Sequence, residues 1–271
     1  MRVALGIEYN GASFCGFQTQ KGERTVQECL ELALSDVADH QVVTRCAGRT
    51  DAGVHALFQV THFDTVSNRS KRAWVLGVNS NLPSDISVIW AKKVDNSFHA
   101  RFSAIDRTYH YFILNSSVRS AILDKKIAWK CKKLDVSAMR NASKILIGEH
   151  DFSTFRASRC QARSPVRILQ EIIISEFGGA IVFKVKANAF LQHMVRNVVG
   201  SLLEVGSGRR SEDWIEHILE KRERRFGGAT APAEGLYLTS VNYPSHYGLP
   251  NPSRSQSRIP WLMLESELET T

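Results

Sequence analysis

The residue best suited to chemistry is Asp51, which lies in the segment Arg49-Thr-Asp51-Ala-Gly53 between two predicted strands. Gly48 and Gly53 flank this carboxylate, and glycine permits backbone conformations and close ligand approach that other residues exclude. Arg49 is two residues away, and a neighbouring guanidinium favours the ionised form of a carboxylate. An ionised carboxylate on a rigid turn suits a nucleophile. The same pattern also fits an ordinary turn closed by an arginine–aspartate pair, so both interpretations stay open.

A second segment with chemical potential is Arg107-Thr-Tyr109-His-Tyr111, at the start of a predicted strand. Tyr109 and Tyr111 share one face of that strand because alternate side chains point to the same side. A tyrosine that faces a cleft can stack on a flipped-out base, and its hydroxyl can take part in proton transfer. Cross-strand aromatic packing is the alternative role for at least one of the two rings.

A third candidate is Arg196, which lies among apolar residues in the segment Asn188-Ala-Phe190-Leu-Gln-His193-Met-Val-Arg196-Asn197. A guanidinium in an apolar environment needs a partner because burial of an unpaired charge is costly. A carboxylate across a cleft would be such a partner. A surface arginine whose aliphatic stem covers apolar neighbours is the alternative.

An arginine-rich segment, residues 154–167, is a candidate phosphate-binding loop. It contains no acidic residue and four arginines, which are Arg156, Arg159, Arg163 and Arg167. Guanidinium groups bind phosphate through charge-assisted hydrogen bonds, and such contacts position nucleic acids without reading their sequence.

The composition excludes several classes of protein. Of the 271 residues, 43% are hydrophobic and 23% are charged, as in an ordinary globular protein. No apolar run approaches the roughly 20 residues of a membrane helix, and the N-terminus lacks a signal-peptide core, so we expect a cytoplasmic protein without a membrane partner. The five cysteines form no CxxC pair, and no GxxxxGK(S/T) or GxGxxG loop occurs. We therefore expect no metal and no nucleotide or other cofactor.

Positive charge is concentrated in the second half of the chain. Residues 1–105 contain 11 Lys and Arg against 10 Asp and Glu, whereas residues 106–244 contain 22 against 14. An excess of this kind indicates a surface that faces a polyanion, although it is also consistent with a solubilising surface.

The elements that must position these residues alternate between strands and helices. Strands are predicted at the N-terminus and near 42–47, 57–63, 86–94, 108–114, 166–176, 181–188 and 236–242. Helices are predicted after Thr25, near 70–77, after Asp135, from about 190 to 205, and after Ser211. The pattern indicates an α+β protein with an N-terminal half (1–105), a basic C-terminal half (106–244) and a flexible tail (245–271), in which the two halves flank a cleft.

Taken together, these segments resemble the tRNA pseudouridine synthase A family of bacteria from about residue 2 to 243. The central motif is Arg49-Thr-Asp51-Ala-Gly-Val-His-Ala. The other motifs, in chain order, are Tyr9-Asn-Gly11, Gly16-Phe-Gln18, Asn81-Leu-Pro-Ser-Asp-Ile86, Phe98-His-Ala-Arg101-Phe, Arg107-Thr-Tyr109-His-Tyr111, His150-Asp-Phe152, Ser164-Pro-Val-Arg167, Phe190-Leu-Gln-His-Met-Val-Arg196-Asn197 and Gly235-Leu-Tyr-Leu238.

The resemblance implies a pseudouridine synthase fold, with two similar α/β-sandwich-like halves whose mixed, mainly antiparallel sheets flank a central cleft. It implies isomerisation of uridine to pseudouridine at positions 38, 39 and 40 of the tRNA anticodon stem-loop. It also implies an isomerase that needs no cofactor or metal, and a homodimer with tRNA lying across both subunits.

The resemblance also implies roles for individual residues. Asp51 corresponds to the nucleophile, with attack on the sugar C1′, attack on the base C6 and support of a glycal route all open. Tyr109 corresponds to the residue that stacks on the uracil and takes the C5 proton, and Arg196 to the arginine that pairs with the nucleophile. Arg49 corresponds to an arginine that helps to flip the base, and Leu236 to a substrate contact.

Two other functions are compatible with parts of the sequence. A non-catalytic basic RNA-binding module would share the basic half and the aromatic residues, but it would not require Asp51 between glycines. A glycosidase would need a second carboxylate at a fixed distance, and no second acidic residue stands out.

Overall fold

The computed structural model describes residues 1–250 and contains one large mixed sheet with helices packed against it. The strands are β1 (Arg2–Tyr9), β2 (Arg45–Cys46), β3 (His55–Asp64), β4 (Ile86–Val94), β5 (Asp106–Asn115), β6 (Ala128–Lys130), β7 (Gly148–Asp151), β8 (Val166–Phe177), β9 (Ala180–Ala187) and β10 (Leu236–Asn242). The helices are α1 (Val26–Ala38), α2 (Val78–Asn81), α3 (Val136–Ser143), α4 (Met194–Gly206) and α5 (Trp214–Lys221), and a π-helical turn, Ala73–Gly77, leads into α2.

The sheet order is β4-β1-β3-β10-β5-β9-β8-β7, with β2 paired to β3 and β6 paired to β5. Among these pairs only β10–β3 and β5–β6 are parallel. The expected α+β fold with a mixed, mainly antiparallel sheet is therefore confirmed. Strand β10, late in the chain, joins β3 of the first half to β5 of the second, so both halves contribute to one continuous sheet.

Helix α1 follows the predicted apolar spacing. The Thr25 side chain accepts a hydrogen bond from the backbone N–H of Glu28 at 3.4 Å, as an N-cap should. Val26, Leu30 and Leu34 are buried on the side that faces the core. Helices α1 and α2 pack against each other in the first half, and α3, α4 and α5 pack together in the second.

Helix α4 packs closely against the loop that contains residues 229–231. An added Cβ on Gly200 would lie 1.8 Å from the carbonyl oxygen of Ala229, so only glycine lets this backbone approach so closely. The loop continues to Ala231, whose N–H donates to the Arg196 carbonyl at 3.0 Å. This contact holds residues 229–231 against the first turn of α4.

The structure corrects the predicted starts of two helices. The helix expected from about 190 begins at Met194 because His193 has a left-handed backbone, with φ of 63°. The helix expected after Ser211 begins at Trp214, and Asp213 precedes it without a side-chain cap. Strands β6 and β7, with three and four residues, were not predicted because such short strands have no readable alternation.

The start of the predicted tail packs against the first half. Residues Ser245–Tyr247 form a 3-10 turn, and the Tyr247 ring lies 5.1 Å from that of Phe98. The rest of the predicted tail, residues 251–271, lies outside the described residues. Within residues 1–250, no helix combines the length and apolarity that a membrane span requires.

Candidate active site

The loop that carries Asp51 connects β2 to β3 and is anchored on both sides. The N–H of Phe17 donates to the Thr50 carbonyl at 3.0 Å, and the N–H of Gly53 donates to the Phe14 carbonyl at 3.3 Å. The hydroxyls of Tyr9 and Thr50 lie 2.8 Å apart in a buried hydrogen bond. Gly53 has a φ of 78°, in the region that glycine favours. These contacts fix the loop on the first half of the molecule.

The Asp51 carboxylate meets Arg196 from the second half of the chain. Nη1 of Arg196 lies 3.2 Å from Oδ2 of Asp51, and Nε donates to the Ala231 carbonyl at 2.8 Å. The Asp51 side chain is 24% exposed and the Arg196 side chain is 15% exposed. Because the carbonyl aims the guanidinium, the ion pair has a defined geometry, with the carboxylate still open to solvent on one side.

His193 is a third member of this cluster that sequence reasoning missed. Its Nε2 lies 3.5 Å from Oδ2 of Asp51, and the side chain is 31% exposed. Its only sequence signal was its place next to the segment that carries Arg196, because it lies just before α4, with a left-handed backbone.

Arg49 has a different partner from the one that local spacing suggested. Its Nη1 lies 3.4 Å from the side-chain oxygen of Gln161, in the arginine-rich loop. Within residues 1–250 Arg49 forms no ion pair with Asp51, so the turn is not closed by the arginine–aspartate pair that the sequence left open. Arg49 is exposed and connects the Asp51 loop to residues 154–167.

Tyr109 lies in the interior next to the Asp51 loop. It is 7% exposed, and its ring packs edge-on against Phe190 with centroids 5.0 Å apart. An added Cβ on Gly48 would lie 3.6 Å from the Tyr109 hydroxyl, which places that oxygen beside the loop. Burial raises the pKa of the Tyr109 hydroxyl above its ordinary value, and the Arg107 charge opposes this rise. The hydroxyl is therefore protonated at neutral pH.

Arg107 connects three segments of the site and was not singled out by its sequence. Nη2 donates to the carbonyls of Ala47 at 3.1 Å and Arg101 at 2.6 Å. Nη1 donates to the carbonyls of Asn188 at 2.8 Å and Ala104 at 3.3 Å. Burial lowers the pKa of this guanidinium from its ordinary value.

Tyr111 and Leu236 belong to the packing beneath the site. Tyr111 is fully buried, and its hydroxyl donates to the Pro232 carbonyl at 2.8 Å. Leu236 opens β10 opposite Tyr111 and is 6% exposed. Of the two tyrosines on this face, Tyr111 thus has the packing role that the sequence left open for one of them.

The four arginines of residues 154–167 divide into two groups. Arg156 donates to the carbonyls of Cys160 and Ala162, both at 2.7 Å, and Arg167 donates to that of Ser164 at 3.0 Å. These two half-buried side chains stabilise the loop itself. Arg159 and Arg163 are exposed and available to a ligand. No cluster of three or more His, Cys, Asp or Glu side chains that could hold a metal ion occurs in residues 1–250.

Comparison with known proteins identifies the family. A family profile described as tRNA pseudouridine synthase matches residues 6–103 and 142–244. The chain is 51% identical over 254 residues to "tRNA pseudouridine synthase A" of Nitrosococcus oceani, which covers 94% of this chain and 98% of that one. It is 52% identical over 249 residues to the protein of the same name from Coxiella burnetii, covering 92% and 95%. A Vibrio parahaemolyticus protein of that name is 52% identical over 250 residues, also covering 92% and 95%. The chain therefore belongs to the tRNA pseudouridine synthase family.

Proposed function

We propose that this protein converts uridine to pseudouridine in tRNA at positions 38, 39 and 40 of the anticodon stem-loop. Relatives named tRNA pseudouridine synthase A align with 92–94% of the chain at 51–52% identity, which supports this reaction and substrate. The observation that carries the residue assignment is the pairing of Asp51 with Arg196 at 3.2 Å, because it leaves a carboxylate that is held by a cation and is still 24% exposed.

In the proposed reaction the C1′–N1 bond of uridine breaks, the uracil turns, and a C1′–C5 bond forms. Asp51 is the nucleophile that assists the detachment, and Arg196 holds its carboxylate in place. If Asp51 bonds to C1′ or to C6, that bond breaks again by the time the C1′–C5 bond is complete, which restores the carboxylate. The C5 proton is then lost, while N1 gains a proton. Tyr109 relays the C5 proton: its oxygen accepts that proton while its own hydroxyl proton, which burial keeps in place, passes to solvent, and solvent supplies the proton that N1 gains.

The target uridine must leave the stack before Asp51 can reach it, at a cost of a few kcal/mol. Arg49, exposed at the cleft and bonded to Gln161, is placed to enter the gap that the base leaves. Arg159 and Arg163 contact phosphates, as duplex RNA is gripped largely through its shape and backbone. Leu236, buried opposite Tyr111, supports the floor of the base site.

The direct test uses purified protein and tRNA transcripts labelled with tritium at C5 of uridine. Transcripts with uridine at only one of positions 38, 39 or 40 should each release tritium, and a transcript with none of these uridines should release none. Binding of all transcripts without any release would instead assign the chain as a non-catalytic RNA-binding module.

We further propose a cytoplasmic homodimer that holds tRNA across both subunits. Four apolar side chains of β8 (Val166, Ile168, Ile173 and Phe177) are 39–47% exposed, and a second copy would cover such a surface. Sedimentation near physiological salt should give about twice the 30.4 kDa chain mass. A monomer throughout the micromolar range would contradict this assembly.

A further inference from the structure

The loop between β4 and β5 exposes a large aromatic ring. Phe102 is 76% exposed, and its ring centroid lies 4.4 Å from the His99 ring and 5.4 Å from the Arg101 guanidinium. A phenylalanine gains no stability from such exposure, and large rings are normally buried. The loop therefore presents an apolar face with a cation beside it, and nothing in the folding of residues 1–250 uses that face.

This loop is held rigidly rather than left to move. The N–H of Ala100 donates to Nδ1 of His62 at 3.1 Å, and the Tyr243 hydroxyl donates to the Ala100 carbonyl at 2.6 Å. The N–H of Arg101 donates to Nδ1 of His99 at 3.1 Å, and the N–H of Ser103 to the His99 carbonyl at 2.9 Å. Because the backbone is already ordered, a ligand that stacks on Phe102 loses little conformational entropy in the protein.

The loop is also tied to the Asp51 site. Nη2 of Arg107 binds the Arg101 carbonyl at 2.6 Å and the Ala47 carbonyl at 3.1 Å. Ala47 leads into the Asp51 loop, and Arg107 is two residues before Tyr109 on β5. One guanidinium thus fixes the Phe102 loop relative to the place where the target base would enter.

The charge around Phe102 suits a polyanion. Burial lowers the pKa of His99, which contacts the Phe102 ring, and the charges of Arg2, Arg45 and Arg101 lower it further, so these arginines lie around the loop. Arg45 and Arg101 are exposed, and neither forms an ion pair with a carboxylate in the part of the chain that the structure describes. Arg2 differs, since Asp64 neutralises it at 2.8 Å. Exposed aromatic rings bordered by unpaired arginines bind single-stranded nucleic acid, the ring by stacking on a base and the arginine by contacting phosphate.

We propose that Phe102 and Arg101 form a second RNA subsite, in which Phe102 stacks on an unpaired base of the tRNA while Arg101 contacts a neighbouring phosphate. The subsite is distinct from the one that receives the target uridine, and it rests on the proposed function. It orients the stem-loop before the target base flips, so it contributes to binding and not to the chemical step.

The test compares Phe102→Ala and Phe102→Trp with the control Val118→Ala, which truncates a side chain of similar exposure, 73%. Phe102→Ala should raise the Kd and KM for tRNA about 5- to 100-fold, from the stacking free energy of one base, with kcat at saturation within about twofold of wild type. Phe102→Trp and Val118→Ala should stay near wild type. Arg101→Gln should lower the slope of log Kd against log salt by about one unit.

A scan of stem-loop RNAs, each with one abasic nucleotide, then locates the stacked base. One abasic site should weaken binding to the wild type and have no added effect with Phe102→Ala. An unchanged Kd for Phe102→Ala would overturn the proposal. Conversion of the variant to a monomer would also overturn it, since a second copy would then cover the ring. Neither outcome resembles failure of the proposed function, in which the wild type releases no tritium.

Discussion

At the scale of single residues, removal of one hydroxyl distinguishes the stacking role proposed for Tyr109 from its proposed role in proton transfer. Tyr109→Phe keeps the ring that packs on Phe190 and removes only the hydroxyl. We expect tRNA affinity within about twofold of wild type, while tritium release falls about 100-fold or more, which is the usual contribution of a general acid–base group. Single-turnover release and filter binding on one preparation measure both quantities.

Tyr111→Phe is the matched control for this change. It removes the hydroxyl that donates to the Pro232 carbonyl, so it should cost about 1 kcal/mol of stability and leave tritium release nearly unchanged. Turnover of Tyr109→Phe close to that of Tyr111→Phe would assign Tyr109 to stacking alone.

The contacts of Asp51 depend partly on its sequence neighbours and partly on residues that only the fold brings close. Its type and the flanking glycines fitted both a functional carboxylate and an ordinary turn, and local spacing favoured Arg49 as its neighbour. In the structure Arg196 holds the carboxylate and Arg49 contacts Gln161. An ion pair between residues 145 positions apart depends on the sheet that joins the two halves, and no local pattern encodes it. Only the resemblance to a family implied that pairing.

At the scale of elements, the arginine-rich loop has two arginines that stabilise the loop, Arg156 and Arg167, and two exposed arginines, Arg159 and Arg163. The double change Arg159→Ala with Arg163→Ala removes two exposed charges, so the slope of log Kd against log salt should fall by up to about two units for tRNA. Lys71→Ala with Arg72→Ala, an exposed and charge-matched pair before α2, is the control and should leave the slope unchanged. Equal slopes for both double variants would mean that the loop does not contact RNA.

Arg156→Ala should behave differently from these changes. It leaves the carbonyls of Cys160 and Ala162 without their donor, so the loop should loosen and tRNA affinity should fall. Part of this loss would remain at high salt because it arises from loop order and not from charge.

Elements with strong periodicity were predictable, and elements defined by tertiary contacts were not. The apolar spacing of α1 and the limits of β10, Leu236–Asn242, agree with expectation. The position of β10 between β3 and β5 could not be predicted from the sequence, because strand order depends on pairing between distant segments. The start of α4 was misplaced because the left-handed conformation of His193 interrupts an apolar pattern that continues on both sides.

At the scale of the whole molecule, two buried histidines make stability depend on pH. Nδ1 of His55 accepts the N–H of Gly11, and Nδ1 of His62 accepts that of Ala100, both at 3.1 Å. Burial lowers the pKa of each imidazole to about 4, against about 6.5 in the unfolded chain. Between these values the unfolded chain binds more protons, so the free energy of unfolding decreases as pH falls from 6.5 towards 4.

The expected slope is up to about 1.4 kcal/mol per pH unit for each histidine. Urea unfolding between pH 7 and 5.5 measures it before most carboxylates titrate. His62→Gln keeps an acceptor for the Ala100 N–H and should reduce the slope by one histidine, whereas His217→Gln, at an exposed position on α5, should not. A wild-type stability that is flat over this range would contradict the account.

Residues from a nearly neutral half and from a basic half of the chain meet at one site. The nearly neutral first half supplies Asp51 and Arg49, and the basic second half supplies Tyr109, Arg196 and the arginine-rich loop. In the proposed function, this arrangement lets one RNA contact both the Asp51 loop and the arginine-rich loop. The proposed mechanism therefore depends on Asp51 more than on any other residue.

Asp51→Asn tests that dependence most directly. The amide keeps the shape of the side chain but removes the charge that pairs with Arg196 and the nucleophilicity that the reaction needs. Tritium release from tRNA should be lost, while thermal stability and tRNA affinity stay close to those of wild type and of the control Asp36→Asn, at an exposed position on α1. Multiple-turnover release by Asp51→Asn, or full activity in whatever fraction folds, would contradict the assignment of Asp51 as the nucleophile.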